Sequence, residues 1–323
     1  MIYKIAVIGS AFEKHLLQKI QNTAQTCECE VSFYNTYDDA AQDLQSIQIM
    51  FAPSNMQSAE IVKKMPELKW FASYFAGVDP LMIPSVLDEN VILTNGSGAY
   101  GITIAEHMIM AALMLMRRYP EYRQIVENRE FRSDLMIGSL YDATVLVLGT
   151  GDIGATFASR LRGFVPRKII GVNRNGRSVS AFDQVISLAE LDAYLPQADL
   201  IVLTLPATPQ TDNLISRERI ALMKKSAFLL NVGRGNCIDQ TALVDALNRE
   251  ELAGASLDVF AVEPIPENDP IWTAKNILIT PHCAGKMTMA YTRETVVNSF
   301  CDNLVRFMQG SEMHHLVNRK MGY

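Results

Sequence analysis

The sequence predicts an α/β protein built on two doubly wound parallel sheets. Short apolar runs alternate with amphipathic stretches along most of the chain, which is the rhythm of parallel strands and crossover helices. The runs fall into two series separated by a long apolar helical stretch. The length of 323 residues exceeds one typical core of about 100 to 200 residues. We therefore expect two domains, each with its own sheet.

The composition excludes several classes of protein. Hydrophobic residues make up 49% of the chain and charged residues 20%, so nothing indicates disorder. The net charge is −6, from 35 acidic and 29 basic residues, and the basic residues are scattered, which argues against nucleic acid as a partner. The five cysteines form no CxxC pair, which argues against a disulfide framework or a zinc ribbon and favours a reducing compartment.

The amino terminus argues against export. The apolar run Ile5–Ile8 begins too close to Met1 to leave room for a charged leader and a cleavable apolar segment. The most lipid-like stretch, Ile109–Met116, is followed by Arg117 and is much shorter than the roughly 18 residues that a membrane span needs. We expect a cytoplasmic protein with no membrane partner.

The first hundred residues predict strands whose loops could hold ligands. Each apolar run ends near Gly, Ser, Pro or Asn, and open α/β sheets bind ligands at the carboxyl ends of their strands. The loop Tyr74–Asp79 stands out among these ends. Helices are expected at His15–Thr23 and Ala59–Met65. The four strand runs are KIAVIGS, IQIMFAPS, LKWFASY and VILTNG.

A second series of apolar runs follows a long helical stretch from Gly101 to Tyr119, which Pro120 is expected to end. This helix could link the two domains. A last helix is expected at about Arg293–Met308, where a chain that crosses back would cover its starting domain. The second series comprises Thr144–Leu148, Ile169–Val172, Leu200–Leu205, Ala227–Val232, Ala255–Val259 and Ile277–Thr280.

A glycine-rich turn predicts dinucleotide binding. Residues 149–154 read GTGDIG, a GxGxxG motif that follows an apolar strand and opens a helix. The first glycine permits the tight turn, the second lets backbone N–H groups approach a pyrophosphate, and the third lets the helix pack against the strand. Cofactor contacts are therefore expected from Gly149, Gly151, Asp152, Ile153 and Gly154.

The end of the next strand indicates which dinucleotide binds. An NAD enzyme normally places Asp or Glu there to bind the ribose hydroxyls, but this chain has Asn173 and then Arg174, with Arg177 nearby. Without a carboxylate a 2′-phosphate is not repelled, and the arginines can donate hydrogen bonds to it. The sequence favours NADP(H), with NAD(H) possible. The alternative is that both arginines are solvated loop charges.

Three later segments carry the polar side chains of a candidate active site. They are NVGRG at 231–235, DVFAVEP at 258–264 and TPHCAG at 280–285, and each follows an apolar strand. The carboxyl ends of parallel strands meet at one edge of the sheet. Arg234, Glu263 and His282 can therefore converge on one substrate although they are distant in sequence.

Reduction of a 2-keto acid needs these residue types. Negative charge develops on the carbonyl oxygen, so a proton donor active near neutral pH must stand close by, and His282 fits that role. Glu263 can hydrogen-bond the far ring nitrogen and favour the imidazolium. Arg234 can grip a carboxylate with a planar fork and polarise the ketone. Taken singly, Glu263 could merely cap a turn and Arg234 could be a structural ion-pair partner.

The four motifs GTGDIG, NVGRG, DVFAVEP and TPHCAG, in this order and spacing, resemble the D-isomer-specific 2-hydroxyacid dehydrogenase family. The resemblance covers nearly the whole chain and extends to AGVD at 76–79, TNGSG at 94–98, AEH at 105–107 and LPATPQT at 205–211. It implies reversible hydride transfer between a small 2-keto acid and its D-2-hydroxy acid. It also implies a Rossmann-like cofactor domain (101–283) inserted in a flavodoxin-like substrate domain (1–100 and 284–323), and a homodimer built on the cofactor domain.

The resemblance also implies roles for individual residues. Arg234, Glu263 and His282 form the catalytic triad. The backbone of Ala76 and Gly77, with the side chain of Arg234, binds the substrate carboxylate. Asp258 is expected at the nicotinamide amide. The remaining cofactor contacts implied are Leu205, Pro206, Thr211, Val232, Gly233, Arg234, His282 and Gly285.

Two departures from the family pattern concern the substrate. Glu263 stands where formate dehydrogenases of the wider family carry Gln, which disfavours formate. The bulky side chains of Tyr74, Phe75 and Tyr100 could narrow the pocket or could pack in the core, so they do not identify the acid.

Rival functions remain open from sequence alone. A nicotinamide-sensing regulator of the same fold would use the same cleft, although the short stretch after the last helix leaves little room for an interaction segment. A methyltransferase would not explain the triad. Histidines outside the triad are expected to be structural, and the methionines of 108–116 suit a helix core better than a metal site, so no metal is expected.

Overall fold

The computed structural model describes residues 2–9, 12–87, 91–319 and 322. Ser10, at the end of the first strand run, lies outside the described residues, as do several residues of the range assigned to a substrate domain. The chain divides into two compact units. The terminal unit combines Met1–Tyr100 with Met287–Tyr323, and the central unit is Gly101–Lys286.

Strands and helices alternate in both units. The strands are β1 (Lys4–Ile8), β2 (Glu30–Tyr34), β3 (Ile49–Ala52), β4 (Trp70–Ser73), β5 (Ile92–Thr94), β6 (Thr144–Leu148), β7 (Lys168–Asn173), β8 (Gln184–Ser187), β9 (Leu200–Leu203), β10 (Phe228–Asn231), β11 (Gly254–Leu257) and β12 (Ile277–Ile279). The helices are α1 (Lys14–Thr26), α2 (Met56–Val62), α3 (Pro84–Leu87), α4 (Gly101–Met116), α5 (Tyr119–Glu127), α6 (Asp152–Leu161), α7 (Leu191–Tyr194), α8 (Arg217–Leu222), α9 (Gln240–Asn248) and α10 (Ala290–Gln309).

The terminal unit is built on a parallel sheet with the strand order β2-β1-β3-β4-β5. This is the flavodoxin-like order. Helices α1 and α10 pack against each other beside the sheet. Aromatic rings fix α10 to the strands, because Phe300 stacks on Phe51 and on Trp70 with ring centroids 4.4 and 5.3 Å apart.

The central unit is built on a longer parallel sheet with the order β12-β11-β10-β9-β6-β7-β8. Its direction of winding reverses between β6 and β9, which is the switch point where such sheets bind ligands. Strands β9 and β11 are buried along their whole length. Burial on both faces explains why β9 reads as a continuous apolar run in the sequence, whereas β11 is built mainly of small residues. The two parallel sheets confirm the predicted fold class.

The long helix of the central unit ends earlier than predicted. Helix α4 stops at Met116, and Pro120 lies in the first turn of α5. A proline is tolerated in a first turn because its missing N–H would have no partner there. The prediction that Pro120 ends a helix reaching Tyr119 was therefore wrong.

Strands β2 and β8 were not predicted. Both lie at sheet edges, and β2 contains only half-buried and exposed residues instead of forming a buried apolar run. An edge strand buries less side-chain surface, so its sequence carries a weaker signal. Within the described part of the chain, no helix combines the length and apolar character required to cross a lipid bilayer.

Candidate active site

The glycine-rich turn joins β6 to α6 at the carboxyl edge of the central sheet. Gly151 immediately precedes α6, whose first-turn N–H groups have no partner within a regular helix. A Cβ on Gly154 would lie 2.0 Å from the carbonyl oxygen of Gly149, so only glycine lets α6 approach the strand this closely. The N–H groups at the start of a helix point along its axis and favour an anion such as a pyrophosphate, and the turn therefore fits a dinucleotide.

Other predicted cofactor residues lie around this turn. The side chain of Asp152 lies against Gly101 at the start of α4, where a Cβ on Gly101 would be 2.9 Å from its carboxylate oxygen. The backbones of Leu205 and Gly233 approach each other closely, with 2.5 Å between the Leu205 oxygen and a Cβ placed on Gly233. Thr211 is buried, and its hydroxyl donates to the Pro206 carbonyl at 2.7 Å. The Thr211 hydroxyl thus organises its own loop.

Asn173 holds the turn that carries the two arginines. Its amide nitrogen donates to Thr150 Oγ1 at 3.0 Å and to the Arg177 carbonyl at 2.8 Å, and its oxygen accepts from the Arg177 N–H at 3.1 Å. Arg174 and Arg177 are exposed. Asn173 therefore links the arginine-bearing turn to the glycine-rich turn.

Arg234 follows β10 and is held by a buried asparagine. Asn231, 1% exposed, donates its amide N–H to the Arg234 carbonyl at 2.9 Å and accepts from the Gly233 N–H at 3.0 Å. The guanidinium of Arg234 donates to the Gly233 carbonyl at 2.8 Å. The neighbouring Gly235 touches the backbone of Phe260, where a Cβ would be only 1.8 Å from the carbonyl carbon. This contact joins the loop of Arg234 to the loop of Glu263.

His282 and Glu263 are in direct contact. His282 Nδ1 lies 2.7 Å from Glu263 Oε2, and the other carboxylate oxygen accepts the Phe260 N–H at 2.8 Å. The two side chains are 54% and 34% exposed, so the pair is open on one side. Because Nδ1 faces the carboxylate, Nε2 is the ring nitrogen left for another partner.

Asp258 fixes the loop on which His282 sits. The buried carboxylate accepts the N–H groups of Cys283 and Ala284 at 2.8 and 3.0 Å, and its backbone carbonyl accepts the His282 N–H at 2.9 Å. His282 has a left-handed backbone, with φ of 49°. A non-glycine residue rarely adopts this conformation, so these bonds hold the loop in shape. The sequence did not anticipate this use of Asp258.

A partly buried chain of hydrogen bonds extends from Asp258 to helix α4. Thr280 Oγ1 donates to Asp258 Oδ1 at 2.7 Å and lies 3.2 Å from His107 Nε2. Thr280 has one hydroxyl proton and gives it to the carboxylate, so His107 must be the donor to the Thr280 oxygen. Burial lowers the pKa of His107, partly opposed by the charge of Asp258. The sequence predicted a structural role for His107 but not its partners.

In the terminal unit, Ala76 and Gly77 lie in the loop after β4. Their carbonyls accept side-chain hydrogen bonds from Asn95 and Ser54. Of the nearby aromatics, Tyr74 is 6% and Tyr100 3% exposed, and the Tyr100 hydroxyl donates to the Tyr74 carbonyl at 2.8 Å. Tyr74 and Tyr100 therefore pack in the core, which was one of the two interpretations of the sequence.

Comparison with known proteins gives one consistent family. A family profile described as D-isomer specific 2-hydroxyacid dehydrogenase, NAD binding domain, matches residues 109–284. Glyoxylate reductase from Korarchaeum cryptofilum is 30% identical over 268 residues, which cover 81% of this chain and 80% of that protein. A family member of solved structure from Aeromonas salmonicida has 33% identity and a TM-score of 0.85, covering 98% of this chain and 99% of its own.

A further solved structure is similar over the same length. It is the NADPH-dependent glyoxylate/hydroxypyruvate reductase from Sinorhizobium meliloti, in complex with NADP and sulfate, with 25% identity, a TM-score of 0.82, and coverage of 99% of this chain and 100% of that one. Fold, glycine-rich turn and relatives together define an oxidoreductase that uses a nicotinamide dinucleotide. The chain belongs to the D-isomer-specific 2-hydroxyacid dehydrogenase family, as the sequence motifs predicted.

Proposed function

We propose that this protein reduces a small 2-keto acid to its D-2-hydroxy acid, reversibly and with a preference for NADPH. The observation that carries the proposal is the 2.7 Å contact between His282 Nδ1 and Glu263 Oε2. This pair lies in the same unit as the glycine-rich turn, at the ends of strands that share one sheet edge.

His282 acts as the general acid and base of the reaction. A reduced nicotinamide, when bound, supplies the hydride for C2 of the keto acid. With Nδ1 held by Glu263, His282 presents Nε2, from which a proton passes to the ketone oxygen. Glu263 keeps the ring oriented through its contact with Nδ1. In the reverse direction Nε2 takes the proton of the alcohol.

Arg234 and the loop after β4 bind the acid group in this proposal. The Arg234 guanidinium, held by the Asn231 turn, offers a planar fork to the carboxylate and a positive charge to the ketone oxygen. The backbone of Ala76 and Gly77 binds the carboxylate as well. In this proposal the terminal unit serves as the substrate domain and the central unit as the cofactor domain. The bounds expected from the sequence, 1–100 and 284–323 for the first and 101–283 for the second, differ from those of the two units by residues 284–286.

The preference for NADPH rests on the end of β7. Asn173 replaces the usual carboxylate, and its side chain supports a turn carrying Arg174 and Arg177, both exposed to solvent. Two cations beside an uncharged residue suit a 2′-phosphate, and NAD(H) remains a usable second cofactor. The cofactor contacts proposed from the sequence, including Asp258 at the nicotinamide amide and Gly285, belong to the same proposal.

The names of the relatives guide the choice of substrate. Glyoxylate reductases and a glyoxylate/hydroxypyruvate reductase are among the similar proteins. We infer a 2-keto acid of comparable size for this chain, and formate is disfavoured because Glu263 stands where formate dehydrogenases carry Gln.

A cytoplasmic homodimer completes the proposal. Its support is a stretch of the central unit with several exposed apolar side chains, a surface suited to a second copy. These side chains are Val126, Phe131, Met136, Ile137 and Tyr141. The five free cysteines suit a reducing compartment. Sedimentation of the purified protein tests the oligomeric state.

Loss of NADPH absorbance with a panel of 2-keto acids tests the activity. The panel contains glyoxylate, pyruvate, hydroxypyruvate, and branched and aromatic 2-keto acids, each assayed with NADPH and with NADH. We expect turnover of at least one small acid and a higher kcat/KM with NADPH. Binding of NADPH without turnover of any acid would instead support a cofactor-sensing protein.

A further inference from the structure

In the loop after β4, each backbone carbonyl from Phe75 to Val78 accepts a hydrogen bond. Four consecutive carbonyls, from Phe75 to Val78, accept hydrogen bonds from the terminal unit itself. The donors are Gly96 N to Phe75 (2.9 Å), Asn95 Nδ2 to Ala76 (2.9 Å), Ser54 Oγ to Gly77, and Leu81 N to Val78 (2.8 Å). A peptide whose carbonyl is held on one side must direct its N–H to the other.

Three of the four N–H groups of the same loop have no acceptor among the residues that the structure describes. Ala76, Gly77 and Val78 donate to no acceptor in the described part of the chain, whereas the Phe75 N–H donates to Ser73 Oγ at 3.0 Å. Ala76 and Gly77 are half-buried and Val78 is 2% exposed. Backbone donors in such positions nearly always have a partner, so three together call for an acceptor from outside the chain.

The side chains that hold these carbonyls lie at the ends of three adjacent strands, since Ser73 Oγ also donates to the Phe75 carbonyl, at 2.9 Å. Ser54 follows β3, Ser73 ends β4 and Asn95 follows β5. Ser54 and Ser73 are buried and share a hydrogen bond of 2.9 Å between their hydroxyls. Asn95 is itself held, because its Oδ1 accepts the Ser97 N–H at 3.2 Å. The orientation of the loop is therefore imposed by fixed side chains.

We propose that Asn95 and Ser54 are positioning residues that, by holding the carbonyls of Ala76 and Gly77, turn the N–H groups of the next residues, Gly77 and Val78, toward the substrate carboxylate. The Ala76 N–H completes the site and is oriented by the Phe75 carbonyl, which Gly96 and Ser73 hold. Successive N–H groups pointing one way form a concave site for an anion. The inference rests on the proposed function for the identity of the anion, a small 2-keto acid. It adds two residues outside the loop and a third N–H to the expected contact through Ala76 and Gly77.

Substitution of Asn95 tests the positioning role. In Asn95→Asp the donor to the Ala76 carbonyl becomes an oxygen, which repels that carbonyl, while the acceptor for Ser97 is kept. We expect KM for the keto acid to rise roughly 10- to 100-fold, since hydrogen bonds to a charged group are lost, while kcat falls much less. Asn298→Asp, on an exposed part of α10 beside Lys19, adds the same charge and should leave KM unchanged.

Ser54 gives a second, independent test. Ser54→Ala removes the donor to the Gly77 carbonyl and should raise KM in the same manner, whereas Ser54→Thr keeps a hydroxyl and should restore part of the loss. A general loss of packing would lower kcat and thermal stability in both variants alike. Unchanged KM in Ser54→Ala and Asn95→Asp would overturn the positioning role.

Binding of oxamate separates this inference from the proposed activity. Oxamate carries the carboxylate and adjacent carbonyl of a 2-keto acid and is not reduced. In NMR spectra of the labelled, NADP-bound protein, it should shift the amide protons of Ala76, Gly77 and Val78, with a weaker Kd in Asn95→Asp. Absence of these shifts would overturn the inference even in an active enzyme. Their presence in a protein that reduces no keto acid would support the anion site and contradict only the proposed function.

Discussion

The two sheets of this molecule present different chemistry at their carboxyl edges. The terminal unit offers backbone N–H groups, held in place by Ser54 and Asn95. The central unit offers charged side chains, with His282 and Glu263 in contact and Asp258 fixing their loop. A backbone site binds through geometry that many sequences could produce. A side-chain site depends on particular residues, and residues of those types can be identified in the sequence.

Removal of His282 should have the largest effect. His282→Ala deletes the proton donor, so we expect kcat for keto-acid reduction to fall by roughly 10² to 10⁴. NADPH affinity, measured by fluorescence titration, should change little. His15→Ala, at an exposed position on α1, is the matched control. An unaltered kcat in His282→Ala would show that the reaction does not take place at the carboxyl edge of the central sheet.

Arg174 should affect the choice of cofactor and not the chemistry. Arg174→Ala removes a charge proposed to bind the 2′-phosphate, and we expect kcat/KM with NADPH to fall about 10- to 100-fold, the value of a charge-assisted hydrogen bond. The value with NADH should stay the same, since that cofactor has no 2′-phosphate. Equal losses with both cofactors would assign Arg174 to the structure of the turn.

A substitution of His107 tests the hydrogen bonds that connect helix α4, through Thr280, to Asp258. The pKa of His107 is lowered by burial below the ordinary 6.5. As the pH falls below about 6.5, the unfolded chain binds a proton that the native state resists, so the free energy of unfolding decreases. His107→Gln keeps a donor for Thr280 but cannot be protonated. Between about pH 7.5 and pH 5.5 this variant should lose less stability than the wild type.

Urea unfolding at the two pH values measures this difference. His15→Gln provides the control, because His15 is exposed. If the wild type and His107→Gln lose the same stability over this range, the native state does not resist protonation of His107. The environment of His107 between Asp258 and α4 would then not contribute to acid unfolding.

A substitution far from the carboxyl edges of both sheets should have the smallest effect. Val165 is 63% exposed, lies in the connection before β7 and has a left-handed backbone with φ of 52°. Val165→Gly removes the clash of a β-branched side chain in this conformation, and after the greater freedom of the unfolded chain is counted we expect a gain of about 0.5 to 1 kcal/mol. Val165→Ala should gain less, and neither should alter kcat. Lower stability of the glycine variant in urea unfolding would contradict this account.

The charged side chains at the carboxyl edge of the central sheet could largely be predicted from the sequence. Arg234, Glu263 and His282 each follow an apolar run that is a strand, and the contact of His282 with Glu263 was anticipated. The residues that hold these side chains and their loops in place were not predicted. Asn231 could have been suspected from its place in the NVGRG motif, but His107 lies 173 positions from Thr280, and nothing local links the two.

The positions of strands and the ends of helices were harder to predict where few side chains are buried. Strand β2 lies at an edge and shows no apolar run, so its sequence resembles a loop. Pro120 is compatible both with the end of a helix and with the first turn of a new one. The turn after Met116 decided between these, and it depends on how α4 and α5 pack in the central unit.

The sequence by itself determined the class of fold, the dinucleotide turn and the kinds of polar side chain at the strand ends. These follow from local patterns, because apolar periodicity and glycine spacing act over a few residues. Only the tertiary structure decided the direction of the His107–Thr280–Asp258 bonds, and only it showed that the N–H groups of Ala76 to Val78 find no acceptor in the described part of the chain. A hydrogen bond depends on distance and angle between atoms, and the packing of distant segments sets both.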